Sequence, residues 1–182
     1  VCVDLLIEDD RNNARQLFVD VANNALGVST AVTARFDQRK VVNRALGIFL
    51  SPEGMHPIFK GKVDDQNDNL RGPNPNFVGA GTIAEIIRIV EKGHVGRFTK
   101  KSDAETDEKL LFKNTSEFFD VLLSSFSQLD AMANDMITTK ELRENSLLGS
   151  KTFLRVLAGV YYELRLKGHK PQSIASFYNQ IK

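Results

Sequence analysis

Apolar positions recur along most of this chain at spacings of three and four, the period of helices buried on one face. The exception is the opening run Val1-Cys-Val-Asp-Leu-Leu-Ile7, broken only by Asp4, which reads as a strand over residues 1–8. Beyond it, Asp10 is placed to cap a helix whose stripe is Ala14, Leu17, Phe18, Val21 and Ala25, stopped by Asn23, Asn24 and Gly27. Ser29 opens a short second helix. Asp37 is placed to cap a third, with Val41, Val42, Ala45, Leu46 and Phe49 as its apolar face.

Residues 51–79 hold four of the five prolines and lose the period. Their run DDQNDNLRGPNPN is a loop by composition, and short strands near Ile58–Phe59 and Phe77–Val78 are placed to flank it as a hairpin. Helical spacing returns behind Thr82-Ile-Ala-Glu85, which has the spacing of a capping box. Residues 94–108 are polar and charged, an exposed linker or helix start with a second such box at Ser102–Glu105. A long helix follows through Phe118, Leu122, Phe126 and Leu129, and Thr138–Glu141 is a further box. The clearest stripe is Phe153, Val156, Leu157, Val160, Tyr161 and Leu164, within a helix over Thr152–Lys167 closed by Gly168. Pro171 suits a first helical turn, followed by Ile174, Phe177, Tyr178 and Ile181. The fold class expected is mainly α: a multi-helix orthogonal bundle, one N-terminal strand and a short hairpin, all within a single helical domain over residues 1–182.

A strand such as residues 1–8 is not stable alone. The run lacks the basic flank and small-residue cleavage site of a signal peptide and is too short to span a membrane. It is therefore expected to complete a sheet laid down by residues upstream, which makes the chain the helical part of a larger α+β protein. With 42% apolar and 26% charged residues, the chain can bury a core. Its 24 basic and 23 acidic residues leave a net charge of +1, not the strong basic excess of a dedicated nucleic-acid module. A single cysteine, Cys2, excludes an internal disulfide and fits a reducing cytoplasm.

Few residues carry chemistry on spacing alone. Asp65-x-Asn67-x-Asn69 echoes the start of a calcium loop, but its sixth and twelfth positions are Leu70 and Asn76, so a turn-rich loop is the better reading. Gly79-Ala-Gly81-Thr82 precedes a helix, where it serves either as a tight turn or as a phosphate cradle without the P-loop lysine. His56, His94 and His169 lack metal-ligand spacing, and no catalytic residues, metal or cofactor are expected. Tyr161 is expected in the core. Arg35, Arg39, Lys40 and Arg44 gather basic charge around the third helix. They form either a solvated helix face or an edge contacting phosphates, with Lys40 and Arg44 expected on one face.

The segment RQLFVDVANNALGVSTAVTARFDQRKVVNR resembles the DGQHR-domain proteins, particularly the DndB-type proteins associated with DNA phosphorothioate modification. The matching positions are Gln16, Phe18, Asp20, Ser29, Phe36, Asp37 and Arg39. Ala22 stands where the pattern has Asn, and the Asp-Gly-Gln-His-Arg signature is absent. The resemblance implies a DNA-associated regulatory, defence or modification protein, of which this part is a helical scaffold with phosphate-backbone contacts. It leaves open a scaffold of a nucleotide-hydrolysing or DNA-processing enzyme, and an oligomerisation module without catalysis. DNA is the partner expected, with a homo-oligomer as a further association and no membrane.

Overall fold

A computed structural model of the chain describes residues 9–25, 30–70 and 74–181. The expected strand over residues 1–8, Cys2 and Ser29 lie outside them. The described chain is mainly helical, with ten α-helices: α1 (Arg11–Ala25), α2 (Thr30–Phe36), α3 (Val41–Phe49), α4 (Ala80–Lys92), α5 (Lys100–Glu105), α6 (Glu108–Ser125), α7 (Ser127–Ala133), α8 (Thr139–Asn145), α9 (Lys151–Leu166) and α10 (Pro171–Gln180).

Helix α4 is the centre. Ile83, Ile86, Ile87, Ile89 and Val90 are all buried, so apolar side chains face several sides of it. A helix apolar on most sides must be covered by others, and α2, α3, α6 and α9 pack around this one. Beside it lies an aromatic cluster. Phe49 meets Phe112, and Phe59 meets Phe119, each with ring centroids 4.6 Å apart. Tyr161 is fully buried against Phe118, as its place in the stripe implies, and its hydroxyl donates to Glu117 at 3.0 Å.

Several helix ends follow from their sequence. Asp10 Oδ1 accepts the amides of Asn12 and Asn13 at 2.8 and 2.9 Å. Thr138 and Glu141 form the expected reciprocal box. Pro171 is in the first turn of α10, and Gly168 adopts φ +81° just beyond α9.

Other ends depart from expectation. Helix α4 begins at Ala80, so Thr82 is inside its first turn and its side chain caps nothing. Ser102 is the third residue of α5 and partners Thr99, rather than opening a helix with Glu105. The long helix through Leu129 is interrupted at Phe126, whose φ, ψ of −121°, 100° are extended. There the Ser124 and Ser125 hydroxyls donate back to the Val121 carbonyl at 3.0 and 2.6 Å, a local alternative to continuing the helix.

The hairpin is replaced. Ile58–Phe59 belongs to a 3₁₀ turn that starts on Pro57. The strands are β1 (Val63–Asp64) and β2 (Val78–Gly79), paired in parallel with Val63 opposite Val78. A parallel pair needs a crossover, and of the connecting residues 65–70 and 74–77 are described, without helix or strand. Asp64 braces both ends of the connection by accepting the amides of Gln66 and Asn67 and the Asn74 side chain. Arg143 donates to the carbonyls of Asn74 and Asn76. The Asp65–Asn69 run is accordingly a turn-rich loop: Asp65 pairs with Arg35, and Asn69 accepts from Lys151.

Candidate nucleic-acid interface

The residues quoted from the first helix and from the α2–α3 link meet in space. On α1, Gln16 Nε2 donates to Asp20 Oδ1 at 3.1 Å, one helical turn on. Asp20 lies 3.3 Å from Arg39 Nη2. Arg39 Nε donates to Asp37 Oδ1 at 2.9 Å, and the Arg39 amide reaches the same oxygen at 3.2 Å. Beside this chain of polar contacts, Phe18 and Phe36 pack edge to face with centroids 5.6 Å apart. The quoted positions thus form a corner that joins α1 to the entry of α3. Asp37 is only 4% exposed. Burial opposes its ionisation, but hydrogen bonds from Arg39 and the nearby charges of Arg39 and Lys40 prevail, so its carboxyl lies below the ordinary 3.8. The same hydrogen bond holds the Arg39 guanidinium above its usual value.

Asp37 does not cap α3, because its carboxylate is turned to Arg39. The cap comes from α5: Asp103 Oδ1 accepts the Val41 amide at 3.0 Å. Asn43 completes the corner, donating to the Asp37 carbonyl at 2.8 Å.

The four basic residues singled out on sequence fall in different settings. Arg35 pairs with Asp65 and lies over the Phe36 ring, its guanidinium carbon 5.4 Å from the centroid. Arg39 is tied to Asp37 and Asp20 while 59% of its side chain stays exposed. Arg44 points inward to its own surroundings: its guanidinium donates to the carbonyls of Gln38 at 3.2 Å, Arg39 at 3.4 Å and Asp103 at 3.2 Å, and reaches Glu108 at 3.4 Å. Lys40 is the residue before α3, exposed, with no ion pair among the described residues. It is the N-cap of α3, and its carbonyl accepts the Arg44 amide at 3.1 Å, one turn on.

Lys40 borders a cleft of about 300 Å³ between α2, α3, α4 and the α4–α5 link. Arg97, Phe98 and Arg88 also border it. Arg97 is exposed and makes no ion pair among the described residues. Arg88 is structural: it closes the C-terminal end of α4 by donating to the carbonyls of Gly93, His94 and Gly96, and it pairs with Glu85 at 3.0 Å. Spacing alone does not single out Arg97 and Phe98, because residues 94–108 read as an exposed linker or helix start. The signal is the run Arg97-Phe-Thr-Lys-Lys101, in which an aromatic is set among cations.

The glycine turn before α4 is occupied from within. Asp68 Oδ1 accepts the Thr82 amide at 3.0 Å, and a methyl group at Gly79 or Gly81 would overlap the Asp68 carboxylate. Of the histidines, His56 is buried beside Asp120, while His94 and His169 are exposed. Among the described residues no set of His, Cys, Asp or Glu is placed to hold a metal ion, and no helix is long and apolar enough to cross a membrane.

No curated protein and no solved structure matches the chain. One family does, through a sequence model described as DNA-sulfur modification-associated and spanning residues 1–178, the helix pair with the quoted corner included. On that match over nearly its whole length, the chain belongs to the DndB family of DNA-sulfur modification-associated proteins.

Proposed function

We propose that this helical chain contacts the DNA backbone in the regulation or defence side of DNA phosphorothioation, through the exposed cations around the α2–α3 corner. The observation that carries the reading is the placement of Lys40 and Arg97 on one cleft, each exposed and unpaired by a carboxylate among the described residues. A cation already tied to a carboxylate must break that pair to meet a phosphate, and an unpaired one need not. Arg35 and Arg39 border the same corner with partly exposed side chains. Arg44 supports the corner from behind. Phosphate contacts require only positive charge at suitable spacing and carry no sequence information themselves.

The test is duplex binding by fluorescence anisotropy across a salt series. Affinity should fall as salt rises, and Lys40→Ala with Arg97→Ala should weaken binding evenly across DNA sequences and flatten the salt slope by about two. Binding indifferent to salt and to both substitutions would remove the reading.

A second reading, self-association, has one observation in its favour. Leu147 and Ile181, 69% and 50% exposed, border a groove of about 380 Å³ between the start of α7, the α8–α9 link and the end of α10. Light scattering decides it: a clean monomer at high concentration excludes it.

A further inference from the structure

We infer that the cleft between α3, α4 and the α4–α5 link is a binding site for one nucleoside phosphate, its phosphate held by Lys40 and Arg97 and its ring set against Phe98. This rests on the backbone-contact reading for its choice of anion. Its first support is charge. Two carboxylates border the cleft, Glu85 and Asp103. Both oxygens of Glu85 are taken, one by Arg88 at 3.0 Å and the other by Arg155 at 2.9 Å. Asp103 Oδ1 accepts the Val41 amide. The acids are thus committed to the fold, while the cations Lys40 and Arg97 are not. A cleft whose acids are engaged within the fold and whose exposed cations make no ion pair among the described residues favours an anion.

The second support is shape. Ala34 and Ala84 are the small side chains of the lining, from α2 and α4, and neither reaches across the cleft. About 300 Å³ is the lower end of small-molecule pockets, enough for one nucleotide unit and too little for a duplex. Phe98 supplies an aromatic surface, fixed by packing on the core and by the Lys92 ammonium 4.9 Å from its centroid. Bases of any kind pack on such a ring. Asn43, 5% exposed, and Thr33 add polar groups for a sugar or base edge.

Two sources present this chemistry: a free nucleotide, or a nucleotide swung out of a DNA strand. The experiment titrates the full chain by calorimetry with deoxyadenosine 5′-monophosphate and with inorganic phosphate. In parallel, anisotropy compares a matched duplex with one carrying a single unpaired adenine. The nucleotide should bind more tightly than inorganic phosphate, and Arg97→Gln should weaken both. Phe98→Leu should erase the difference, a loss of about tenfold in nucleotide affinity. Should Phe98→Leu fail to fold, Ala84→Leu fills the cleft from α4 and should abolish nucleotide binding while leaving matched-duplex binding in place. Tighter binding of the unpaired adenine assigns the site to an extruded nucleotide. Nucleotide binding without that preference assigns it to a free one. Nucleotide affinity equal to that of phosphate, or unchanged in folded Phe98→Leu or Ala84→Leu, overturns the inference. The matched duplex keeps the two readings apart, since its salt slope tests the backbone contacts alone.

Discussion

Asp103 on α5 accepts the Val41 amide on α3 at 3.0 Å, across 62 positions of sequence. A helix entry is thereby closed by a side chain from a distant and otherwise exposed six-residue helix with no buried residue of its own. With the Arg44 guanidinium donating to the Asp103 carbonyl at 3.2 Å, the bond ties α5 to the α3 entry through polar contacts, α5 having no buried residue to anchor it. Asp103→Ala should lower stability by about 1 kcal/mol, the usual cost of losing an N-cap. Asp103→Asn, which keeps an acceptor, should stay near wild type. Urea unfolding with the α-helical signal as readout checks both, and an Asn variant as weak as the Ala variant would contradict the cap.

Gly81 and Asp68 make a matched pair. An alanine in place of a helical glycine ordinarily gains about 1 kcal/mol. Here the added methyl would overlap the Asp68 carboxylate that caps α4, so Gly81→Ala should be destabilising by about 1–2 kcal/mol, the loss of a cap combined with local strain. In an Asp68→Ala background the obstacle is gone, and the same substitution should cost little or become favourable. Thermal unfolding of the four proteins forms a double-mutant cycle. Additive effects would show that the two residues do not oppose each other.

The same pair marks how far the sequence could be read. Stripes such as Phe153–Leu164 specify their helices because each turn repeats one apolar requirement, and α9 lies within a residue of its expected bounds. Local caps such as Asp10 and Thr138 are legible because both partners lie within three residues. Asp103 and Asp68 cap across 62 and 14 positions, and no local pattern announces either. Asp37 and Thr82 have good cap spacing and yet do other work, because Arg39 claims one and α4 begins ahead of the other. The site is split in the same way. Lys40 stood out beside its basic neighbours. Arg97 and Phe98 come to the cleft only through the turn after α4, which Arg88 fastens and in which Gly93 adopts φ +72°.

His56 should make stability fall in mild acid. Its Nδ1 accepts the Ile58 amide at 3.3 Å, so the ring proton is on Nε2, which donates to Asp120 at 3.1 Å. Burial lowers its pKa, and the hydrogen bond to Asp120 only partly opposes this. A group whose folded pKa is depressed takes up protons first in the unfolded chain. The stability it protects is therefore complete above the ordinary histidine value of 6.5 and is lost as pH falls below it. Unfolding midpoints measured downward from pH 7.5 should drop, and His56→Gln should lessen that drop between pH 6.5 and 5. An equally steep profile in the variant would place the sensitivity elsewhere.

Arg44 gives a test in which charge and geometry separate. A phosphate contact depends on positive charge, so Arg44→Lys would preserve it. The arrangement seen here instead needs a fork, because one guanidinium reaches the carbonyls of Gln38, Arg39 and Asp103 and the carboxylate of Glu108. An ammonium on a flexible stem cannot reach all of them together. Arg44→Lys should therefore lower stability by about 1–2 kcal/mol, the scale of one or two hydrogen bonds to a charged group. Because Arg44 holds the Gln38 and Arg39 carbonyls, both just ahead of Lys40, duplex affinity should fall modestly with it, while the salt slope stays as in wild type. Arg44→Lys with unchanged stability, paired with Arg44→Ala that flattens the salt slope by about one, would move Arg44 from the support of the corner to its phosphate-facing edge.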